Sequence, residues 1–494
     1  MEKIVRQRSL YEINVRVWLR NFDKDGKKAT LSDIPNSYWD YLADLGIENV
    51  WLMGVWKTPE AAIKKYCFEP FLIDEYKKAL KDFTYKDVSG SPYSIEDYIV
   101  SEKIGGENEL VELKKTLNKR GMNLILDFIP NHFSAESSLV VKHPEIFLKT
   151  NEHIFKEDPY TFFKPEGASY FIAHGRDPFF PAWTDTAQIN YFEPEARNFM
   201  INRLKRITEL ADGVRCDMAM LMLNNVFRNT WGIVLSDAGY HTPDTEFWQE
   251  AIHSIKNQNP NFLFIAEAYW DLEWQLQQLG FDYTYDKSLM DRLKNNDAGS
   301  IRDHLRAEED YQLKSVRFIE NHDEPRAINY LGYDKSKAAA IIISTIQGMR
   351  FYFDGQFEGE RTKLPVQLGR KSKEKPIDSL KNFYEKLLRI VKNPIFKYGD
   401  WRLITPEPAW ENDYSYINII AFLRSFENQY RLVVVNYSTE ISAARLKFEP
   451  PEGMEEIILT DLLTNEKYKR NTFEIFDLGL YVKLSPFQSH LFAF

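Results

Sequence analysis

Cysteine is nearly absent from this chain. Cys67 and Cys216 are the two present in 494 residues, which excludes a disulfide framework. Cys216 lies between Arg215 and Asp217 on an apolar segment and reads as a small packing residue, not a nucleophile. Long apolar runs are missing too. The longest, Ala338 to Ile343, falls far short of the ~20 residues that a membrane span needs. The N-terminal MEKIVRQRSLYEINVRVW has no apolar signal core and passes straight into a strand pattern. These three absences together predict a cytoplasmic location. A basic excess is also lacking. The formal net charge is −10 with Lys and Arg dispersed, so neither nucleic acid nor a membrane surface is an expected partner. No internal repeat or low-complexity tract stands out, and the charged stretch Arg370–Lys375 reads as a solvated loop.

What is present is ordinary globular material in an informative order. Hydrophobic residues at 44% and charged residues at 28% supply a sizeable core, and a chain this long suits two or three domains. Eight strand candidates follow one another: Leu10–Trp18, Ile47–Met53, Asn123–Phe128, Gly213–Met218, Phe262–Ala268, Phe281–Thr284, Ser315–Glu320 and Met349–Phe353. Helical periodicity separates most of them, as at Glu107–Arg120, Glu195–Glu209 and Ser336–Gln347. Strand and helix in alternation predict an α/β fold with a parallel sheet, and eight units close a (β/α)₈ TIM barrel. About eighty residues separate the third strand from the fourth. Within them, Phe133 to Asp185 lacks helical periodicity and is rich in proline and aromatics, as expected of an inserted subdomain over the barrel mouth. From about Lys397 short alternating segments predict an antiparallel β-sandwich. The expected division is a barrel domain over 1–132 and 186–396, an insertion over 133–185 and a C-terminal sandwich over 397–494.

Four strand-like runs finish on a carboxylate: NLILDFIPNH with Asp127, GVRCDMAM with Asp217, FLFIAEAYW with Glu267, and VRFIENHDEP with Asp323. In a parallel barrel the C-terminal strand ends surround one mouth, so these acids converge. Cleavage of a glycosidic bond needs such a carboxylate cluster. Arg215 and Asp217 share one strand face, which predicts an oriented, ionised aspartate fit to act as nucleophile. Glu267 ends an apolar strand, and desolvation there should raise its pKa into the range of a general acid and base. Asp323 is assigned to stabilising a distorted, oxocarbenium-like sugar, with His322 and His132 binding hydroxyls. The 15% aromatic content serves core packing first, with part of it available for stacking on sugar faces. The His, Glu and Asp spacings match no compact metal motif.

With these motifs in hand, the chain resembles the α-amylase superfamily, glycoside hydrolase family thirteen, over essentially its whole length. The family's first signature region resembles Asp127 to His132, its second GVRCD from Gly213, its third AEA with Glu267, and its fourth Phe318 to Asp323. The order of these motifs is the family's, and so are a domain B after strand three and a β-sandwich domain C at the end. The resemblance implies retention at an α-glucosidic bond, with Asp217 as nucleophile, Glu267 as acid/base and Asp323 as transition-state stabiliser. It implies sugar contacts from His132, Arg215 and His322, and a sugar-stacking role for Tyr93 in SPYSIEDY. It also implies a structural calcium held in part by Asn131. The other ligands of such a site have no match in the sequence, so no cofactor is expected to be required. Many α-amylases follow the nucleophile with a Lys–His pair on the leaving-group side. Met220 and Leu221 stand at those positions, so the acceptor subsites must be built differently.

The expected function is hydrolysis of α-1,4-glucosidic bonds in maltodextrin, starch or glycogen-type glucans through a covalent glycosyl-enzyme. Two alternatives stay open: an α-glucan transglycosylase or disaccharide-specific α-glucosidase of the same family, and an inactive glucan-binding homologue. The latter usually lacks one of the three acids, and all three are present here.

Overall fold

The computed structural model describes residues 4–295, 297–451 and 453–494. Eight parallel strands close a barrel: β1 (Gln7–Asn14), β2 (Asn49–Met53), β3 (Asn123–Phe128), β4 (Gly213–Cys216), β5 (Leu263–Ala266), β6 (Tyr283–Tyr285), β7 (Ser315–Arg317) and β8 (Gly348–Phe353). Neighbours in sequence are neighbours in the sheet, and β8 pairs with β1 to seal it. Two apolar layers result from the period-two alternation of strand side chains. Leu10, Trp51, Ile125, Ile265, Val316, Met349 and Phe351 fill the interior. Their neighbours, such as Tyr11, Val50, Leu124 and Phe264, pack outward against the helices.

Gly213 opens β4 where three strands crowd. A Cβ there would stand 2.7 Å from Leu263 Cβ and 2.8 Å from both Ile125 Cδ1 and the Leu263 carbonyl, so any larger residue would push β3 and β5 apart. Strand one ends earlier than its alternation predicts. The run VRVW turns into a helical segment, Val15–Trp18, that buries Val15, Val17 and Trp18. A short apolar run fits either period, and here packing beneath the mouth decides.

Between β3 and β4 the chain forms two small sheets. One pairs His132–Ser134 with Thr186–Gln188, and the other joins Lys149–Thr150, Phe162–Phe163 and Phe171–Ala173. Short helical turns at Leu139–Lys142 and Glu152–Glu157 interrupt a segment in which the sequence shows no helical periodicity, because one turn is too short to establish a period. After a long helix, Asp378–Val391, a six-stranded and a three-stranded antiparallel sheet enclose a separate core that includes Leu423, Leu432, Val434, Leu446 and Leu484. These sheets are tied to the barrel by Tyr437 Oη donating to the Leu293 carbonyl at 2.7 Å and Arg424 Nε donating to the Thr345 carbonyl at 3.1 Å. Among the described residues no helix is long and apolar enough to cross a membrane.

Candidate active site

The polar residues of the mouth continue the barrel's inner face. Glu12 stands two residues beyond Leu10, Asp127 two beyond Ile125, Arg215 two beyond Gly213, and Glu267 two beyond Ile265. Each therefore points inward one layer above the apolar filling. Register brings Asp127 opposite Arg215 across β3 and β4. The ladder continues past the strand ends, with Asp217 N–H donating to the Phe128 carbonyl at 2.8 Å and Glu267 N–H to the Cys216 carbonyl at 3.0 Å. These bonds fix the two acids on adjacent, hydrogen-bonded backbones.

Arg215 is fully buried and organises the acids. Its Nη1 donates to Asp217 Oδ1 at 2.7 Å, its Nη2 lies 2.8 Å from Glu267 Oε2, and Asp127 Oδ1 is 3.6 Å from Nη1. One planar guanidinium thus joins the carboxylates of Asp217 and Glu267, the fork geometry that arginine offers and lysine does not. The indole of Trp51, 5.0 Å below, and the Tyr285 ring, 5.6 Å away, wall in the cation.

Burial raises the Glu267 carboxyl to about 7, against the opposing pull of Arg215. Its Oε2 accepts from the Met218 N–H at 2.7 Å and faces Arg215, while Oε1 accepts from the Tyr269 hydroxyl at 2.9 Å. A proton on this group therefore belongs on Oε1, the oxygen that does not face the guanidinium. Burial also raises Asp217, although Arg215 opposes it. The neighbouring arginine alone predicts an ionised aspartate, but desolvation is the larger effect. Asp127 is likewise pushed up by burial, to about 7.

A second cluster faces these acids. His322 Nδ1 lies 2.5 Å from Glu12 Oε1, and its Nε2 lies 2.9 Å from Asp323 Oδ2 and 2.7 Å from the Tyr93 hydroxyl. Burial disfavours the charged ring, but Asp323 and Glu12 outweigh it and hold the His322 pKa well above its usual value. At Asp323 removal from water would raise the carboxyl; His322, then Arg215 and Lys363, overcome this and hold it at about 2. Its side chain is 47% exposed at the open mouth, so water screens part of that pull. Lys363 also donates to the Asp323 carbonyl. Tyr93 stacks on His322, ring centroids 5.5 Å apart. Beside His322 opens a small pocket that is also lined by Asn14, Trp18, Asn321, Arg326 and Asp354.

His132 is buried against Trp183, and burial lowers its pKa to about 4, so it is a neutral ring. The structure thus gathers Asp217, Glu267, Asp323, Arg215, His322 and Tyr93 into one linked set, with His132 at the start of the inserted segment. Glu12 and Tyr269 belong to the set and escaped sequence reasoning. The signal for Glu12 was a charged residue inside an apolar strand, LYEIN. Tyr269, two residues past Glu267, carries no such mark.

Met220 and Leu221 are both buried in the turn Ala219–Met222 and pack with the core. Asn131 does not offer a free oxygen to calcium. Its Oδ1 accepts from Gln188 Nε2 at 3.0 Å, and the same amide nitrogen lies 2.9 Å from the Asn131 carbonyl and 3.0 Å from that of Ile189. The two N–H groups of this amide can serve two of the three converging oxygens, and the amide's own Oε1 is buried without a hydrogen-bond partner. Among the described residues no group of three His, Cys, Asp or Glu is placed to hold a metal.

The α-amylase catalytic-domain family model matches residues 36–389. The chain is 24% identical to Alpha-amylase 2 of Dictyoglomus thermophilum over 432 residues, covering 80% of this chain and 62% of that protein. It is 22% identical to Alpha-amylase MalA of Haloarcula japonica over 469 residues, covering 92% of this chain and 58% of the relative. It thus spans about three-fifths of the length of these curated relatives. Among solved structures, the maltogenic α-amylase AmyB of Thermotoga neapolitana superposes with a TM-score of 0.71 at 20% identity, over 99% of this chain and 98% of that one. The α-amylase of Geobacillus thermoleovorans, complexed with acarbose, gives 0.67 at 17% identity over 98% of both chains. At these identities the superpositions establish the fold.

Proposed function

We propose, because the chain belongs to the α-amylase family, that it is a retaining α-glycoside hydrolase acting on α-1,4-linked glucans. The single observation that carries this reading is the Arg215 guanidinium shared by Asp217 and Glu267. Joining both acids through one fork keeps them close, as double displacement requires; retaining pairs stand about 5–5.5 Å apart.

In the first half-reaction an Asp217 oxygen attacks the anomeric carbon while Glu267 gives its proton to the departing glycosidic oxygen. The sugar becomes an ester of Asp217, and the leaving chain departs as an alcohol. Glu267, now a carboxylate, then takes a proton from water, whose oxygen displaces Asp217. Asp323 stabilises positive charge on the sugar ring, a role supported by its being half in solvent and held ionised beside His322. Tyr93 and His132 supply a stacking face and a neutral hydrogen-bonding ring.

No metal enters this scheme, and independence of calcium is part of the proposal, supported by the Gln188 amide at Asn131. A cytoplasmic site of action belongs to it too, supported by two buried, unpaired cysteines. The test is a panel of maltooligosaccharides, pullulan, sucrose, trehalose and glycogen, read by product chromatography. Release of short maltooligosaccharides or glucose from α-1,4-glucans is the expected result. Cleavage confined to sucrose or trehalose would contradict it, and longer oligosaccharides built from a defined maltooligosaccharide would turn the reading to transglycosylation.

A further inference from the structure

Beyond the end of β1 the rim of the barrel is bridged. The loop after β2, residues 54–122, and the loop after β8, residues 354–377, meet there, since β2 and β8 are the two neighbours of β1 in the sheet. Val88 forms an antiparallel bridge with Leu368. Ser89 N–H donates to the Gln367 carbonyl at 2.8 Å and Gly369 N–H to the Asp87 carbonyl at 2.7 Å. Arg370 clamps the joint with a two-pronged ion pair, Nε to Asp87 Oδ1 at 2.6 Å and Nη2 to Oδ2 at 2.9 Å.

This joint has a small core of its own, in which Leu368 is fully buried with Tyr76 and Leu80 while Val88 and Leu364 pack against them. From the barrel side Arg16, in the helical segment after β1, spends its guanidinium on the same loop. Its Nε donates to the Gly54 carbonyl at 2.8 Å, Nη1 to that of Gly90 at 3.0 Å and Nη2 to that of Trp56 at 2.6 Å. The two loops therefore make a strap that is pinned to the barrel and packed with apolar side chains.

Both limbs of the strap reach the catalytic cluster. Tyr93, four residues after Ser89, sets its hydroxyl 2.7 Å from His322 Nε2. Lys363, four residues before Gln367, donates to the Asp323 carbonyl. Four residues span at most about 14 Å, so the strap stands close to the sugar that Tyr93 and Asp323 hold. Lys363, Leu364 and Val366 of the same loop also wall the small pocket beside His322. Strand β1 lies four strands from β5 in either direction round the barrel, so the strap faces Glu267 across the mouth. A sugar whose oxygen Glu267 protonates departs on the β5 side. The remainder of the glucan, on the other side of the scissile bond, points at the strap.

We infer that the strap closes this end of the cleft, so that the protein acts exo, from the non-reducing ends of α-1,4-glucans, and that Arg370 determines this specificity. The inference rests on the functional reading above. The interior of a long chain cannot lie across a mouth that is shut on one side. A chain end can enter, and the few sugars between the strap and the scissile bond are then released as short products.

The test compares p-nitrophenyl maltoheptaoside, free at its non-reducing end, with the same compound carrying an ethylidene acetal on that terminal sugar, both read by product chromatography. In the wild type, kcat/KM for the blocked substrate should be about 10²-fold or more below that for the free one, because the acetal collides with the strap. Arg370→Ala removes the clamp, and Gly369→Pro removes a backbone donor from the joint. Each should raise the ratio of blocked to free by about tenfold, as loss of a good polar contact lets the strap open. Because the ratio is internal to each preparation, partial misfolding cancels. Wild-type protein that cleaves both substrates alike would overturn the strap, as would a ratio unmoved in both variants. Protein inert towards both substrates would overturn the functional reading itself, a distinguishable result.

Discussion

At the scale of single residues, chemistry is concentrated in how one guanidinium divides itself between two acids. Asp217→Asn removes the nucleophile and should lower kcat by about 10³-fold or more. Glu267→Gln should lower kcat/KM for a sugar leaving group by about 10²–10⁴-fold, the usual worth of a positioned general acid. The sign of the pH dependence follows from the same burial. Glu267 must be protonated to act first, and its carboxyl sits at about 7, so kcat/KM should fall as pH rises through about 7. Asp217 must be ionised, and its raised pKa places the acid limb above the ordinary carboxylate range. A flat profile across neutrality would contradict the Glu267 assignment. Glu12 acts through His322 and is a positioning residue. Glu12→Gln replaces a charge at Nδ1 with a neutral amide and should move the His322 titration downward, as measured by NMR. An unmoved titration would remove Glu12 from the set.

The strand-end acids were legible in the sequence because each closes an apolar run, and alternation alone puts Arg215 and Asp217 on one face. Their partners across the mouth were less so. Tyr269 lies on a loop where no periodicity operates, and its placement depends on a left-handed turn at Trp270 and Asp271 that local sequence does not announce. Met220 and Leu221 were placed by correspondence with relatives, and the turn that buries them is a matter of packing.

Among the elements, the joint between the inserted segment and the barrel invites the plainest test. His132–Ser134 pairs with Thr186–Gln188, and the Gln188 amide donates to Asn131 across that joint. A side-chain amide does there what a cation does with oxygens, so a chelator should leave both activity and Tm unchanged. A fall of several degrees on adding EDTA, reversed by calcium, would show a bound metal stabilising the native state. The eight barrel strands were legible because each is a short apolar run followed by a helix or a long loop. Their ends were not, as at Val15–Trp18, where the alternating pattern continues but the backbone turns helical. The inserted segment was legible only as an interruption, since strands of two or three residues set no period.

Over the whole molecule, a closed barrel creates a single mouth, and the convergence of the strand-end acids depends on that closure. Residues 133–185 and 397–494 are proposed to act as units attached to it, the first lending Trp183 to the mouth and the second bracing the barrel through Arg424 and Tyr437. The central claim is that Asp217 and Glu267 work as a retaining pair. The most direct measurement is to treat the protein with a fluorinated α-glucosyl fluoride that forms the glycosyl-enzyme but releases it slowly, then to digest it and sequence the labelled peptide by mass spectrometry. The account predicts one sugar per chain, carried by Asp217. A label on Asp127, Asp323 or Glu267, or steady turnover of natural substrate by a protein whose Asp217 is replaced by Asn, would contradict it.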